Sequence, residues 1–349
     1  MILNLLEQDA SRVCDAVSLS PLRGKSILIT GASGLLGTHY ISCLRQLQLA
    51  DSAKMKIYAV IASEPESYFK KLCDFSGMEI IQQDLTHPEF QNNLPEADVI
   101  IHAAGYGQPG RFMAFPIKTL HLNTSATFSL FQKLKPGGKF LFVGTSEVYV
   151  GLNAEKYSEN QIGHTNTDHP RACYIEAKRC GEAICHSFRK SGVDAKIARL
   201  ALAYGPGTRP GDQRVLHSLI EKGLQGRIDL LDQGLANRTY GYVSDAMELM
   251  WKMMLEGREA VYNVGGISRT SIRELALKIG ELMHVPVVFP QEAHGLKDAP
   301  ADVQLDLARS RAEFKKDEFV SLEEGLSRTI QWQRAITRKD PMEEEVANA

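Results

Sequence analysis

Lys25-Ser26-Ile27-Leu28-Ile29-Thr30-Gly31-Ala32-Ser33-Gly34-Leu35-Leu36-Gly37 reads as an apolar strand that stops at a glycine, passes two more glycines at spacings of three, and resumes as a helix. Each glycine has a physical role in that reading. Gly31 permits the tight turn, Gly34 lets the backbone approach a pyrophosphate, and Gly37 lets the new helix pack closely on the sheet while its free N–H groups and dipole face the anion. Glycine-rich turns follow strands in many α/β proteins, so the loop alone leaves a phosphate cradle and a plain turn both open. Its context is more telling. Strand-like runs recur at Ile57–Ala62, Met78–Gln82, Val99–Ala103, Phe140–Val143 and Lys196–Leu200, with helix-length segments between them. That alternation predicts a Rossmann-type, doubly wound α/β fold with a parallel sheet.

A chain of 349 residues is long enough for such a domain plus a smaller C-terminal substrate-binding lobe. We expect a helical extension over 1–24 and a dinucleotide-binding domain over 25–205, completed by about 238–265. The lobe is expected over 206–237 and 266–337, with a flexible charged tail over 338–349. Forty basic residues against 42 acidic ones give a net charge of −2, so no global field favours nucleic acid or an anionic membrane. The six cysteines form no CxxC pair and no Cys/His array at zinc spacing, which predicts reduced thiols and no metal site. Glu7, Asp9 and Asp15 interrupt the apolar pattern of Ile2, Leu5, Leu6, Val13 and Val17, so the N-terminus reads as an amphipathic helix rather than a secretory signal. No run approaches the ~20 apolar residues that span a bilayer. A cytoplasmic protein without membrane or nucleic-acid partners is the expectation.

Several strand ends carry chemistry. The second strand, Lys56 to Ala62, finishes at Ala62-Ser63-Glu64-Pro65, where an acid would hold a ribose 2′-OH and an Arg would accommodate a 2′-phosphate. Glu64 is either that acid, displaced by a residue or two, or a solvated loop charge. The third strand ends in Asp84-Leu85, whose carboxylate either accepts from an adenine amino group or closes a turn. The fourth runs into His102-Ala103-Ala104-Gly105; the small residues admit a ligand closely, and His102 reads as a packed core histidine. The fifth ends at Gly144-Thr145-Ser146-Glu147-Val148-Tyr149, a polar cluster that belongs beside a ligand crevice or makes an ordinary turn. Tyr174 and Lys178, four apart, share one helix face, so an ammonium can bring a phenol of pKa ~10 into range as a base. Lys196–Ala203 reads as strand six.

Taken together, Thr30-Gly31-x-x-Gly34-x-x-Gly37, Tyr174-x-x-x-Lys178 and Tyr204-Gly205-Pro206 resemble the extended short-chain dehydrogenase/reductase family, in its nucleotide-sugar epimerase/dehydratase branch, from Lys25 to about Arg334. Within that branch Phe115-Pro116-Ile117-Lys118-Thr119-Leu120, Thr145-Ser146-Glu147-Val148-Tyr149, Arg171-Ala172-Cys173-Tyr174-Ile175-Glu176-Ala177-Lys178-Arg179 and Arg238-Thr239-Tyr240-Gly241-Tyr242-Val243-Ser244-Asp245 look most like UDP-glucuronate decarboxylases. Two positions depart from that pattern: Ala62-Ser63 stand where an acidic residue usually ends strand two, and Leu202 replaces an Asn two residues before Tyr204-Gly205-Pro206.

The resemblance implies NAD as cofactor, with NADP not excluded, held by Gly31, Ser33, Gly34, Leu35, Leu36, Gly37, Asp84, Leu85, Ala103, Ala104, Gly105, Tyr174 and Lys178. It implies a nucleotide-sugar substrate and catalytic roles for Thr145, Ser146, Glu147, Tyr174, Lys178 and Arg238. Oxidation at C4 of the sugar makes a C5 carboxylate a β-keto acid that leaves as CO2; elimination of a 6-hydroxyl (4,6-dehydratase) and 4-epimerisation are the alternatives, with a non-catalytic NAD-binding regulator as a different class. The dehydratases often place Asp before the Glu of this turn, where this chain has Ser146, which favours decarboxylation. Resembling enzymes pair as homodimers through the helix after Asn123 and the helix bearing Tyr174, which would put Phe128, Phe131, Ile184 and Phe188 near the contact.

Overall fold

The computed structural model describes residues 2–51, 53–87, 89–291 and 304–337. The expected tail over 338–349, and the lobe residues 292–303, lie outside the described residues.

Among the described residues twelve strands follow one another: β1 (Ser26–Thr30), β2 (Lys56–Ile61), β3 (Met78–Gln82), β4 (Ala97–His102), β5 (Leu134–Val143), β6 (Asp194–Leu200), β7 (Leu202–Tyr204), β8 (Ile228–Asp229), β9 (Asn237–Tyr242), β10 (Val261–Val264), β11 (Ser268–Ser271) and β12 (Val287–Val288). Seven of them form a parallel sheet in the order β10-β6-β5-β4-β1-β2-β3, flanked by helices. This is the Rossmann-like α/β fold. All five residues of β1 are buried, as a central parallel strand covered on both faces requires. The strand order reverses between β1 and β4, and an open α/β sheet parts its loops at such a point to leave a crevice.

Two strands differ from the sequence reading. The run Lys196–Ala203 is not one strand. β6 stops at Leu200, Ala201 donates its N–H to the Val264 carbonyl at 2.8 Å, and β7 pairs in parallel with β9 in a separate sheet, β11-β9-β7. A strand-like run with no turn residue inside it cannot show that its second half has changed partners. β5 starts at Leu134 rather than Phe140: Gly137 and Gly138 sit inside it, and the register against β4 shifts between Ala97 and Val99. Gly137 takes φ +73°. Such glycines mark a strand irregularity, and they erase the apolar alternation that would have announced the strand.

Outside the seven-stranded sheet stand β11-β9-β7, the short β12-β8 pair, and the helices Val215–Leu224, Ile272–Met283 and Leu322–Thr337. Ser271 and Glu274 close a capping box at the start of the second of these helices, and His284, at φ +58°, ends it. No described helix is long and apolar enough to cross a membrane.

The N-terminal helix, Ile2–Ala16, lays Leu5, Leu6, Ala10 and Val13 into the main core against the helices Leu35–Asp51 and Val243–Leu255. Asp9 lies on the same buried stripe. Its carboxylate accepts from the Tyr242 hydroxyl at 3.1 and 3.0 Å and from Arg328 Nη2 at 2.9 Å, while Arg328 Nε donates to the Tyr242 oxygen at 2.8 Å. Burial pushes the Asp9 carboxyl up, against the pull of His39 and Arg328. Removing one partner of a buried pair strands the other, so Asp9→Ala is expected to lower stability by about 3–5 kcal/mol, read as an earlier midpoint in urea unfolding. A midpoint equal to that of the parent protein would show that the pair contributes nothing.

Candidate active site

Gly31 turns the chain out of β1 at φ +66°, where a Cβ would lie 2.8 Å from the backbone of Ala103 and Ala104. A Cβ on Gly37 would sit 2.4 Å from the Ala32 carbonyl oxygen, so helix Leu35–Asp51 can approach the turn only without one. On Gly34 a Cβ would meet nothing nearer than the Gly31 carbonyl oxygen at 3.2 Å. The first and third glycines are therefore fixed by the protein's own packing, and the second is not. This cradle, which side chains would fill, fits a dinucleotide.

The loop opens on a cleft of about 600 Å³ at the reversal of strand order. Gly31, Ser33, Gly34, Leu35, Leu36, Gly37, Asp84, Leu85, Ala103, Ala104, Gly105, Thr145, Ser146, Glu147, Tyr174 and Lys178 all line it. Of the residues to which the resemblance gives a catalytic or cofactor role, Arg238 alone is not on that wall. It lies on β9, opposite Thr270 of β11, and its Nη1 donates to the Asn237 carbonyl at 2.5 Å. A hollow of about 770 Å³ lies elsewhere, lined by Lys156, Arg269, Leu305, Arg311 and Lys315 among others, and holds none of these site residues.

Three polar groups converge where β5 ends. Thr145 caps the short turn Ser146–Tyr149, its hydroxyl accepting from the Glu147 N–H at 3.2 Å, and the same side chain acts to lower the Tyr174 phenol. Tyr174 projects from the helix Ala172–Lys190 with its ring stacked on Phe112, centroids 4.5 Å apart. Burial, with the Glu147 charge added, holds its phenol above the usual range; Thr145, Arg171 and Arg214 act the other way. Glu147 is gripped by Arg171 through two hydrogen bonds, one of them from Nε at 3.1 Å. Burial raises the Glu147 carboxyl and that guanidinium opposes the rise. One turn beyond Tyr174, Lys178 donates to the Val143 carbonyl at 2.7 Å, and its Nζ lies 5.9 Å from the Tyr174 ring centroid. Burial pulls the Lys178 ammonium down to about 7, against the pull of Glu182. Lys178 thus lies on the Tyr174 face that the i, i+4 spacing anticipates, while a backbone carbonyl takes its amine.

Other strand-end residues sort themselves out. Asp84 accepts from the N–H and hydroxyl of Thr86 at 2.9 and 2.8 Å, closing a turn, yet still lines the cleft, with Lys118 3.5 Å away. Glu64 points to solvent and pairs with Lys70. His102 is a core residue, bonded to the Thr30 hydroxyl at 2.7 Å and the Leu122 carbonyl at 2.9 Å; burial pushes it down to about 3. Among the described residues no group of His, Cys, Asp and Glu could hold a metal ion, and all six cysteines are free thiols.

Sequence reasoning missed the cleft's cations. Arg111, stacked 5.1 Å over Tyr106, and Arg209 and Arg214 all line it, together with Asp212. The last three lie in a stretch rich in Gly, Pro and Arg with no periodicity; the density of arginines was the available signal, and nothing local said which way they face. Leu202, where the resembling enzymes carry Asn, also lines the cleft and is partly exposed in it.

The model of the NAD dependent epimerase/dehydratase family matches residues 27–265. UDP-glucuronic acid decarboxylase 1 of Xenopus tropicalis is 30% identical over 321 residues, covering 90% of this chain and 74% of that protein. UDP-glucuronic acid decarboxylase 6 of Arabidopsis thaliana is 29% identical, covering 88% and 90%. Among solved structures, UDP-glucuronic acid 4-epimerase from Bacillus cereus, in complex with UDP-glucuronic acid and NAD, superposes with a TM-score of 0.71 at 23% identity over 89% of this chain and 99% of that one, a likeness of fold. With the glycine cradle, the Thr145–Glu147–Tyr174 cluster and a family match running from β1 to just past β10, the chain belongs to the NAD dependent epimerase/dehydratase family.

Proposed function

We propose that the protein is an NAD-dependent nucleotide-sugar enzyme that oxidises its substrate at C4 and decarboxylates it, acting on UDP-glucuronate. The observation that carries this reading is Glu147 beside Tyr174 on the cleft wall, because a plain 4-epimerase has no need of a second carboxylate there. The decarboxylases among its relatives agree with it.

Bound in the glycine cradle, the nicotinamide would supply a hydride acceptor, and later a donor, at the sugar C4. The chain's own residues do the rest. Tyr174, whose phenol Thr145 acts to lower, would take the proton of the 4-hydroxyl. The buried Lys178, half-neutral near pH 7, adds positive charge near the phenol when it is protonated. With a ketone at C4, the bond from C5 to the carboxylate carbon breaks, CO2 leaves, and its electron pair passes to the C4 oxygen, which Tyr174 protonates. A proton must then return to C5, and Glu147 with Ser146 flank that carbon. Arg111 faces the cleft and can hold substrate charge, while Arg214 lines it paired with Asp212. We also propose a homodimer. Phe128 is half exposed and Phe188 packs 5.7 Å from it, whereas Phe131 is taken up by the core between Phe140 and Phe188.

Incubation with a panel of sugar nucleotides and mass analysis of the products tests the assignment. Loss of CO2 from UDP-glucuronate supports it, whereas loss of water or an unchanged mass would replace it by dehydration or epimerisation. Glu147→Gln separates the steps: NADH should form and a 4-keto species accumulate. Should that variant finish the reaction at the parent rate, Glu147 is structural and epimerisation becomes the better reading.

The pH dependence follows from the Glu147–Arg171 pair. Arg171 holds the carboxyl below the value burial alone would impose, so Arg171→Ala raises it further. If Glu147 returns the proton to C5 the reaction needs it protonated, so the basic limb of the kcat profile then moves to higher pH. An unmoved limb in the variant would dissociate Glu147 from the profile.

A further inference from the structure

The loop from Gly205 to Arg214 carries a guanidinium into the glycine cradle. Arg209 Nε donates to the Ser33 carbonyl at 2.8 Å, and Nη2 donates to the Ser33 hydroxyl oxygen. Both residues line the cleft beside Gly31 and Gly34. The loop behind Arg209 is firmly held: Trp332 Nε1 donates to the Thr208 carbonyl at 2.8 Å, and the buried His39 ring bonds the Pro206 carbonyl at 2.8 Å. Five residues on, Arg214 is neutralised by Asp212 at 2.6 Å, but among the described residues no carboxylate pairs with Arg209. Two bonds to Ser33 leave donors of the guanidinium fork to spare. An uncompensated cation fixed beside the first turn of helix Leu35–Asp51 adds its field to the helix dipole, which favours an anion there.

We propose that Arg209 binds a phosphate on the adenosine half of the dinucleotide, reaching it from that loop. The inference rests on the dinucleotide reading above. Two phosphates share this chemistry, the pyrophosphate of either cofactor and the 2′-phosphate of NADP. The end of β2 does not exclude the second, because Ala62 and Ser63 line the cleft there while Glu64 is turned away to Lys70.

The test is calorimetric titration of the full chain with NAD, NADP, ADP and adenosine. In Arg209→Ala, loss of one charge-assisted contact should weaken ADP and NAD about ten- to a hundredfold and leave adenosine unchanged. An equal loss for NAD and NADP assigns the pyrophosphate; a loss confined to NADP, with ADP and NAD unchanged, assigns the 2′-phosphate. The wild-type affinity should fall with added salt, and that dependence should flatten in the variant. Arg209→Gln, which can still bond Ser33 but has no charge, should behave like Arg209→Ala, and it replaces that variant if thermal melting shows it unfolded. Parent-like binding of all four ligands in both variants overturns the proposal. So does a parallel loss of ADP and adenosine, which would make Arg209 only a strap on the loop. Failure of the wild-type chain to bind either dinucleotide instead overturns the cofactor reading itself.

Discussion

Tyr174→Phe should abolish the first hydride transfer, lowering the single-turnover rate of NADH formation from NAD and UDP-glucuronate by about 10²–10⁴-fold. The substitution removes one oxygen and nothing else of consequence. The ring remains stacked on Phe112, and the helix Ala172–Lys190 keeps its apolar face. What is lost is the acceptor for the 4-hydroxyl proton, and no other group in the cluster can replace it. Glu147 is held by Arg171, and Thr145 has its oxygen engaged with the Glu147 N–H. Absorbance at the NADH band under single-turnover conditions, with excess enzyme, reads the step directly. Formation of NADH at the parent rate would remove Tyr174 from the chemistry and leave its hydroxyl a buried structural group. Cofactor affinity should change little, so a variant that fails to bind NAD would point to a packing defect instead.

The second large effect separates two glycines of one loop. Gly37→Ala should damage the fold, because its Cβ would fall within 2.4–2.6 Å of the Ala32 backbone and force the helix off β1. Overpacking of that kind costs about 1–3 kcal/mol, visible as a lowered melting temperature. Gly34→Leu should leave the fold intact, since only the Gly31 carbonyl oxygen lies near, at 3.2 Å. Its side chain would instead occupy the approach to the pyrophosphate and weaken NAD binding by about a hundredfold or more, equivalent to two charge-assisted contacts at about 1.5 kcal/mol each. Melting curves and calorimetry on both variants decide the matter. A Gly34→Leu protein that melts normally and still binds NAD as the parent does would remove the loop from cofactor binding.

What could be read from the sequence was what lies close together along it. The Gly31–Gly37 loop, the Thr145–Glu147 turn and the Tyr174/Lys178 helix face are local patterns, and all three meet on one cleft. Arg209 and Arg214 reach the same cleft through a loop whose path depends on Trp332 and His39, residues far away in sequence, so no spacing rule could aim them. Lys178 shows a subtler limit: periodicity put it on the correct face but could not foresee that the Val143 carbonyl would take its amine. Arg238 fell on the other side of that limit, since pairing of β9 with β11 decides where its side chain starts from. The break at Ala201 escaped because one strand-like run serves two sheets.

The contact between Asp9 and Arg328 spans 319 positions of the chain. During synthesis the helix Ile2–Ala16 is made 319 positions ahead of its ionic partner. Leu5, Leu6, Ala10 and Val13 therefore have an interval in which only the helix Leu35–Asp51, and not yet the helix Val243–Leu255, is there to be covered. Loop closure over such a distance comes late in folding, and an apolar stripe left waiting is a natural target for holdase chaperones and for aggregation. The helix Ile2–Ala16 is thus a latch closed by residues far along the chain, and slowing translation of the helix Leu322–Thr337 should lengthen the time for which the latch stays open.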